Sequence, residues 1–146
     1  MELITIYDNG NYLFQHKKST YLCSPYGVIT LDKIYQQKSL NATCKKAIGE
    51  FIVSNAKLAN YVYYRLKVRE FYHIEFKNSQ CLIFSKGQKS FSKELLLVGM
   101  AIIDPKLKDE IYSYKFRKAQ QSALDAKRGL WKNYKVKTCV SELLKE

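Results

Sequence analysis

The sequence predicts an α+β fold, because it opens with strand-forming segments and closes with amphipathic helices. Strand formers at residues 3–6 precede Asp8, Asn9, Gly10 and Asn11. Since Asn and Gly tolerate positive φ, these four residues predict a tight hairpin turn. Near the end of the chain, apolar residues recur at steps of three and four, which is the spacing of one helix face. These residues are Tyr112, Phe116, Ala119, Ala123, Ala126 and Leu130.

More strands are predicted after the first turn, at residues 12–15, 20–23 and 27–31. A hairpin series of this kind is typical of the start of an OB-type barrel. A helix follows, because Ser39 or Asn41 can cap it and apolar residues then recur at helical spacing. Its apolar face comprises Cys44, Ile48, Phe51, Ile52 and Ala56.

Residues 61–72 predict a long half-buried strand with one basic face, because apolar and basic side chains alternate there. The inward set is Val62, Tyr64, Leu66 and Val68, and the outward set is Tyr63, Arg65, Lys67 and Arg69. Strands at 73–76 and 80–84, a turn at Lys86 and Gly87, and a helix at 91–100 capped by Ser92 are predicted next. Asp104 and Pro105 predict the turn before the last amphipathic helix.

Length and charge bound the class of protein. The 146 residues correspond to one domain. The 25 Lys and Arg outnumber the 13 Asp and Glu, which gives a formal net charge of +12. Such a charge favours polyanionic partners, of which nucleic acid is the first to consider. An acidic protein surface or an anionic membrane would satisfy the same charge.

The start of the chain and its cysteines predict a cytoplasmic protein. The first ten residues contain an acidic residue and no long apolar run, so neither a secretory signal nor a transmembrane segment is expected. The four cysteines form no C-x-x-C pair, which argues against a zinc site and a redox dithiol. We expect them to be reduced and mostly buried. They are Cys23, Cys44, Cys81 and Cys139.

Residues 98–131 combine a Gly-x-Ala segment, a proline turn, a basic helix and a final Gly-Leu-Trp in which Gly129 can adopt the left-handed conformation that ends a helix. This arrangement resembles the C-terminal third of the staphylococcal nuclease (thermonuclease) family. The residues in register are Leu96, Gly99, Ala101, Arg117, Lys118, Ala123, Gly129 and Trp131. The resemblance implies a five-stranded OB-type barrel with three helices over residues 1–133. The apolar residues of the tail at 134–146 predict either a short helix packed on the domain or a partner-binding tag, of which packing is favoured.

The resemblance also implies what the active site would need. Family members hydrolyse phosphodiesters with a calcium ion held by aspartates, a glutamate that activates water, and two arginines that clamp the phosphate. The family's Asp-Gly-Asp-Thr turn corresponds to residues 9–12, where the second aspartate is Asn11. The stretches at 21–32 and 77–79, where the arginines would lie, contain none. We therefore expect no cofactor and no nuclease chemistry, with Asp8 and Asp32 as weak candidates for a metal.

Three hypotheses about function remain. The first is a non-enzymatic module for nucleic acid, preferably single-stranded, with bases stacked on tyrosines and phosphates bound by a basic strand face. Its candidate residues are Tyr61, Tyr63, Arg65, Lys67 and Arg69. The second is a scaffold within a larger assembly that docks on an acidic protein partner. The third is a metal-dependent phosphodiesterase with a rebuilt site, in which Arg65 and Arg69 replace the missing clamps.

Overall fold

A computed structural model of the chain describes residues 1–84 and 89–144, so the turn predicted at Lys86 and Gly87 lies outside the described residues. The strands are β1 (Glu2–Asp8), β2 (Asn11–His16), β3 (Ser19–Pro25), β4 (Val28–Thr30), β5 (His73–Lys77), β6 (Gln80–Phe84) and β7 (Ala101–Ile103). The helices are α1 (Leu31–Gln36), α2 (Ala42–Ser54), α3 (Ala56–Ala59), α4 (Tyr61–Arg65), α5 (Phe91–Leu97), α6 (Glu110–Asp125) and α7 (Tyr134–Leu144), with a 3₁₀ turn at Gly129–Lys132. The predicted α+β class is confirmed.

A five-stranded sheet with the order β1-β2-β3-β6-β5 forms the centre of the fold. Its pairs are antiparallel except for β3 and β6, which run parallel, with Ser24 opposite Gln80 and Pro25 opposite Cys81. The strands β4 and β7 form a separate antiparallel pair. The predicted hairpin turn at residues 8–11 is confirmed, since β1 and β2 pair on either side of it.

A short segment lies along the outer edge of β1. The Leu3 N–H donates to the Glu70 carbonyl at 2.9 Å, the Arg69 N–H donates to the Leu3 carbonyl at 2.7 Å, and the Tyr72 N–H donates to the Met1 carbonyl at 2.8 Å. Because β5 begins at the next residue, this segment brings the two ends of the sheet order towards each other. Among the described residues, however, strand pairing does not close the sheet, and the barrel stays a prediction.

The strand predicted at residues 61–72 is wrong. Residues Tyr61–Arg65 form helix α4 instead. Val62 and Leu66, four residues apart, are buried, whereas Tyr64 and Val68, which the predicted strand would have buried, are 61% and 48% exposed. The alternating pattern and the helical spacing share Val62 and Leu66, and packing of those two side chains on the core selects the helix.

The helices α2 and α5 begin where short side chains cap them. The Asn41 side chain accepts from the Cys44 N–H at 2.8 Å and caps α2, as predicted. Helix α5 is capped by Ser90, whose hydroxyl accepts from the Lys93 N–H at 3.2 Å, so the predicted cap at Ser92 is wrong. Ser92 lies buried in the first turn of that helix.

The last amphipathic helix ends earlier than its apolar pattern indicates. Helix α6 stops at Asp125, and Lys127 takes a left-handed conformation with φ of +53° just beyond it. Gly129 is also left-handed, at +56°. It lies against Gly99, whose carbonyl accepts the Leu130 N–H at 2.9 Å. Leu130 and the following Trp131 are buried, as the closing Gly-Leu-Trp predicts.

The prediction that all four cysteines are reduced is wrong. Cys23 pairs with Cys81 across β3 and β6, and Cys44 pairs with Cys139 across α2 and α7, each with 5.7 Å between the Cα atoms. The partners are 58 and 95 residues apart in the sequence, so no local motif predicts either pairing. Because disulfides persist mainly in oxidising compartments, these pairs weigh against the predicted cytoplasmic location, which stays untested.

The predicted tail helix is confirmed as α7. Val136 and Val140 on this helix are buried and join the core of the domain. The disulfide at Cys139 fixes the helix to α2. In the part of the chain that the structure describes, no helix is both long enough and apolar enough to cross a membrane.

Candidate functional site

The first hairpin turn is held together by Asp8. Its Oδ1 atom accepts from the Gly10 N–H at 2.8 Å and from the Asn11 side-chain amide at 3.0 Å. The position of Gly10 cannot hold a larger residue without movement, since a Cβ there would lie 2.5 Å from Lys33 Cε and 2.9 Å from Thr30 Oγ1. The turn and the start of α1 are therefore in direct contact.

Asp32 in the first turn of α1 makes the second connection to the hairpin. Its Oδ2 atom accepts from the Asn9 N–H at 3.0 Å, and its Oδ1 atom accepts from the Lys33 N–H at 3.2 Å. The Asn9 side chain in turn donates to the Ala59 carbonyl at 2.7 Å. The fold thus brings the two carboxylates that the sequence offered as weak metal candidates, Asp8 and Asp32, to opposite sides of one turn.

Lys33 places a cation in this cluster. Its stem lies over Gly10, and its ammonium donates to the Ser24 hydroxyl at 3.2 Å, which donates to Asn11 Oδ1 at 3.2 Å. Burial lowers the pKa of the Lys33 ammonium, and the carboxylates of Asp8 and Asp32 partly offset that change. The positive charge of Lys33 therefore partly neutralises both acids.

Tyr12 lies beneath the turn and is fully buried. Its hydroxyl donates to the Asn9 carbonyl. Burial raises the pKa of the Tyr12 hydroxyl well above its usual value, and the nearby charges of Asp32 and Asp8 raise it further. Tyr12 is thus a neutral hydrogen-bond donor that fixes the turn from inside.

The residues present do not fit a calcium ion. Calcium takes six to eight oxygen ligands, with carboxylates prominent among them. Both carboxylates here accept hydrogen bonds from the turn and the helix start, and the Lys33 ammonium donates to the Ser24 hydroxyl beside the same turn. Among residues 1–84 and 89–144, no group of three His, Cys, Asp or Glu side chains could hold a metal ion.

Two buried oxygens beside the turn, Asn9 Oδ1 and Thr30 Oγ1, have no hydrogen-bond partner within the described residues. Thr30 Oγ1 and Lys33 Cε lie 2.9 Å and 2.5 Å from the same point above Gly10. The side chain of Lys33 is therefore the cationic group that the structure brings closest to that point.

The structure separates the residues predicted to bind nucleic acid. The Tyr61 ring stacks on Phe91 at 6.4 Å between ring centres. Arg65 donates to Glu94 Oε1 through its Nη2 atom at 2.7 Å and its Nε atom at 2.9 Å, and this contact raises the pKa of Arg65. Both side chains thus serve contacts within the domain, which contradicts the predicted basic strand face.

The other three predicted residues are exposed, as Arg65 is. The Tyr63 hydroxyl donates weakly to the carbonyls of Ile6 and Tyr7 at 3.4 Å, and its side chain is 44% exposed. Lys67 and Arg69 follow α4 in an irregular segment in which Arg69 has a φ of +76°. They lie near one another along the chain without sharing a strand.

Sequence reasoning missed Lys33 and Ser24. Lys33 contacts Gly10, which lies 23 positions earlier in the chain. No local sequence pattern predicts a contact over that distance. Ser24 is the next-to-last residue of β3 and reaches the turn only because β3 pairs with β2 in the observed register.

No family model matches this chain, and no curated protein matches it either. The likeness to staphylococcal nuclease therefore depends on the residues quoted above.

Proposed function

We propose that the chain is a non-enzymatic module for nucleic acid, built on an OB-type barrel like that of the staphylococcal nuclease family. The parallel pairing of β3 with β6 supports this fold, as do the three backbone hydrogen bonds between residues 1–3 and residues 69–72. In a closed barrel, that segment would be the start of the strand that continues as β5. The likeness of residues 98–131 to the family supports the same assignment.

The position of Lys33 is the main observation that supports the loss of nuclease activity. A lysine whose stem covers Gly10 and whose ammonium donates to the Ser24 hydroxyl adds a positive charge beside the turn that would correspond to the family's calcium-binding turn. Unlike a metal ion, an ammonium group offers no open coordination position to a phosphoryl oxygen or to water. The stretches that would supply arginine clamps, 21–32 and 77–79, contain no arginine. Both changes remove groups that stabilise charge in the transition state.

The charge of the chain supports binding to nucleic acid. A formal net charge of +12 on 146 residues attracts phosphates and releases counterions when they bind. The exposed tyrosines supply flat faces on which unpaired bases can stack. Charge and aromatic rings together favour a single strand over a duplex, in which base faces are hidden.

A cleavage assay tests this proposal. Labelled single-stranded and duplex DNA and RNA are incubated with the protein and with calcium, magnesium or a chelator, and both the bound fraction and the product lengths are measured. We expect bound and intact oligonucleotide under every metal condition. Metal-dependent cleavage that disappears in Asp32→Ala would overturn the proposal and indicate the third hypothesis, a phosphodiesterase with a rebuilt site.

A protein-interaction scaffold is the second candidate function. Three aromatic side chains of β1, α4 and the segment beside β1 are well exposed: Tyr7 at 57%, Tyr64 at 61% and Phe71 at 75%. Exposed aromatic residues are enriched at the centres of protein interfaces. If the chain binds no nucleic acid, and Phe71→Ser abolishes binding to an acidic protein isolated with it, this function replaces the first.

A further inference from the structure

Tyrosine and lysine side chains pair along the exposed face of α6. The Lys118 ammonium lies 5.0 Å from the centre of the Tyr114 ring, and the Lys115 ammonium lies 5.7 Å from the centre of the Tyr112 ring. The partners are four and three residues apart, so the members of each pair meet on the helix surface. At about 100° per residue, Tyr114, Lys118 and Lys115 lie within about 100° of one another, and Lys115 joins them to Tyr112, which is half-buried at the edge of the apolar face. A cation over an aromatic ring is attracted to its negative face, which limits the freedom of the lysine.

The hairpin between β5 and β6 contributes a third lysine to the same face. The Lys77 ammonium lies 5.9 Å from the centre of the Tyr112 ring. The Tyr112 ring thus has lysines from two separate elements close to it. Tyr26 packs edge-on against Tyr112 at 5.8 Å between ring centres, which fixes the ring in place. Tyr114, by contrast, is 58% exposed.

The acidic side chains near this face, Asp109 and Glu75, make contacts with groups other than these lysines. Asp109 caps α6 by accepting from the Ile111 and Tyr112 N–H groups, at 3.0 Å and 3.1 Å. Glu75 lies beside His73, with 3.5 Å between Oε1 and Nε2. Lys77, Lys115 and Lys118 form no ion pair within 4.0 Å among the described residues. Their charges remain available to an anionic ligand.

We propose that this face, which we call the α6 face and define as Lys77, Tyr112, Tyr114, Lys115 and Lys118, binds a single strand of nucleic acid. The proposal rests on the proposed function and gives it a site different from the one predicted at residues 61–69. The three ammonium groups contact successive phosphates, and a base stacks on the exposed ring of Tyr114. A duplex would offer the phosphates but not the base face.

The test compares two charge-matched double variants. Lys115→Gln with Lys118→Gln alters the α6 face. Lys45→Gln with Lys46→Gln is the control on α2, where the Lys45 ammonium lies 5.4 Å from the centre of the Tyr35 ring. Each variant loses two positive charges and at least one lysine–tyrosine pair. All four lysines are exposed, and circular dichroism verifies that both variants fold.

Affinity is measured by fluorescence anisotropy with a labelled oligothymidylate of about 12 nucleotides, within the range of site sizes of OB folds. We expect Kd to rise about tenfold in the α6-face variant and less than about threefold in the control. The slope of log K against log salt should also fall in magnitude by about 1.4 in the α6-face variant, because two phosphate contacts are lost.

A third variant, Tyr114→Ala, tests the stacking. We expect it to raise Kd for the single strand by roughly five- to a hundredfold and to leave the affinity for a duplex of the same length unchanged. Equal losses in the α6-face and control variants would overturn the site while leaving the proposed function intact. If the wild type binds no oligonucleotide, the proposed function fails. Binding to polyglutamate that only the α6-face variant loses would overturn the proposal in favour of an acidic protein partner.

Discussion

The Lys33 side chain and the glycine beneath it decide what the first hairpin turn can bind. Lys33 Cε lies 2.5 Å from the point that a Cβ on Gly10 would occupy, so the lysine stem and the turn backbone are in close contact. Burial lowers the pKa of the Lys33 ammonium, and the nearby carboxylates of Asp8 and Asp32 partly offset that change. A site that already holds a tethered cation has little electrostatic reason to bind another.

Calcium should therefore leave the stability of the protein unchanged. A ligand that binds only the folded state raises the free energy of unfolding by RT ln(1 + [L]/Kd), which becomes measurable once [L] exceeds Kd. We expect the Tm in about 5 mM calcium to match that in chelator within about 1 °C. A rise of several degrees that is lost in Asp8→Asn would contradict this account of the turn.

Tyr12 should make the protein less stable at alkaline pH. Its folded-state pKa is raised above the unfolded value of about 10, so its contribution to stability is complete below pH 10 and is lost as the pH rises towards the folded value. Between pH 10 and 11, the free energy of unfolding of the wild type should fall relative to Tyr12→Phe by up to about 1.4 kcal/mol. Urea titrations at each pH measure it.

The comparison with Tyr12→Phe isolates this tyrosine from the others. Burial also raises the pKa of the hydroxyls of Tyr26, Tyr61, Tyr72 and Tyr112, and these contribute equally to both proteins. At neutral pH, the variant should lose about 1 kcal/mol because the hydrogen bond to the Asn9 carbonyl is absent. A stability difference that does not change above pH 10 would show that Tyr12 titrates normally.

At the residue scale, the sequence predicted the turn but not the side-chain contacts made to it. Asn9 and Gly10 specify a tight turn by their own conformational preferences, so the hairpin follows from local chemistry. The contacts of Lys33 with Gly10 and Ser24 depend on how α1 is placed against the hairpin. Only the tertiary fold contains that information.

Two loops meet through glycines where α5 and α6 end, and this contact should tolerate no side chain. A Cβ on Gly129 would lie 2.4 Å from the Val98 carbonyl oxygen, and the residue has a φ of +56°. Gly129→Ala should therefore lower the free energy of unfolding by about 2 to 4 kcal/mol, through backbone strain and the clash together. Urea denaturation measures the loss.

Gly49→Ala is the matched control for that substitution. Gly49 lies inside α2, where a Cβ would meet only the exposed ring of Tyr35, at 3.1 Å from Cε2. Alanine is preferred over glycine in a helix interior by up to about 1 kcal/mol, and the ring can move. We expect a change within about 1 kcal/mol of the wild type. Similar losses in both variants would contradict the role assigned to the glycine contact.

The disulfide between Cys44 and Cys139 should stabilise the domain by fixing α7 on α2. It closes a loop with a sequence separation of 95 residues. A disulfide of that span restricts the unfolded chain, and its removal typically costs about 2 to 4 kcal/mol. Cys44→Ser with Cys139→Ser should lower the free energy of unfolding by that amount, measured by urea denaturation without reductant.

Reduction provides the check on that result. Reductant should lower the stability of the wild type by at least as much as the double substitution does, because it opens both disulfides. If the double variant unfolds at the same urea concentration as the wild type, the two cysteines are not bonded in solution. In that case the initial expectation of reduced cysteines would be restored for this pair.

At the scale of elements, prediction succeeded where local signals determined the structure. Asn41 caps α2 as expected, and strands beside short polar turns were located within a few residues. The strand prediction for residues 61–72 was wrong because Val62 and Leu66 fit both a strand face and a helix face. Burial of these two side chains against the core favours the helix. The prediction of reduced cysteines was wrong because the partners of each disulfide are 58 and 95 residues apart, which leaves no local pattern to indicate the pairing.

At the scale of the whole molecule, composition predicts a class of partner but not where on the surface it binds. The net charge of +12 points to polyanions wherever the lysines lie. The α6 face cannot be predicted from the sequence, because Lys77 on β5 reaches Tyr112 on α6 only through the tertiary fold. Conversely, Arg65 was expected to contact phosphate but pairs with Glu94. The α+β class followed from the sequence, whereas no sequence pattern marked the backbone hydrogen bonds between residues 1–3 and 69–72.

The most direct test of a non-enzymatic nucleic-acid module is a salt series with a labelled single-stranded oligonucleotide in excess calcium. Affinity and oligonucleotide length are measured in the same samples. We predict that log K falls linearly with log salt, with a slope of about −0.7 for each phosphate bound and about −2 for the three lysines of the α6 face, while the oligonucleotide stays intact. An oligonucleotide that is cut, or an affinity that does not change with salt, would contradict the account.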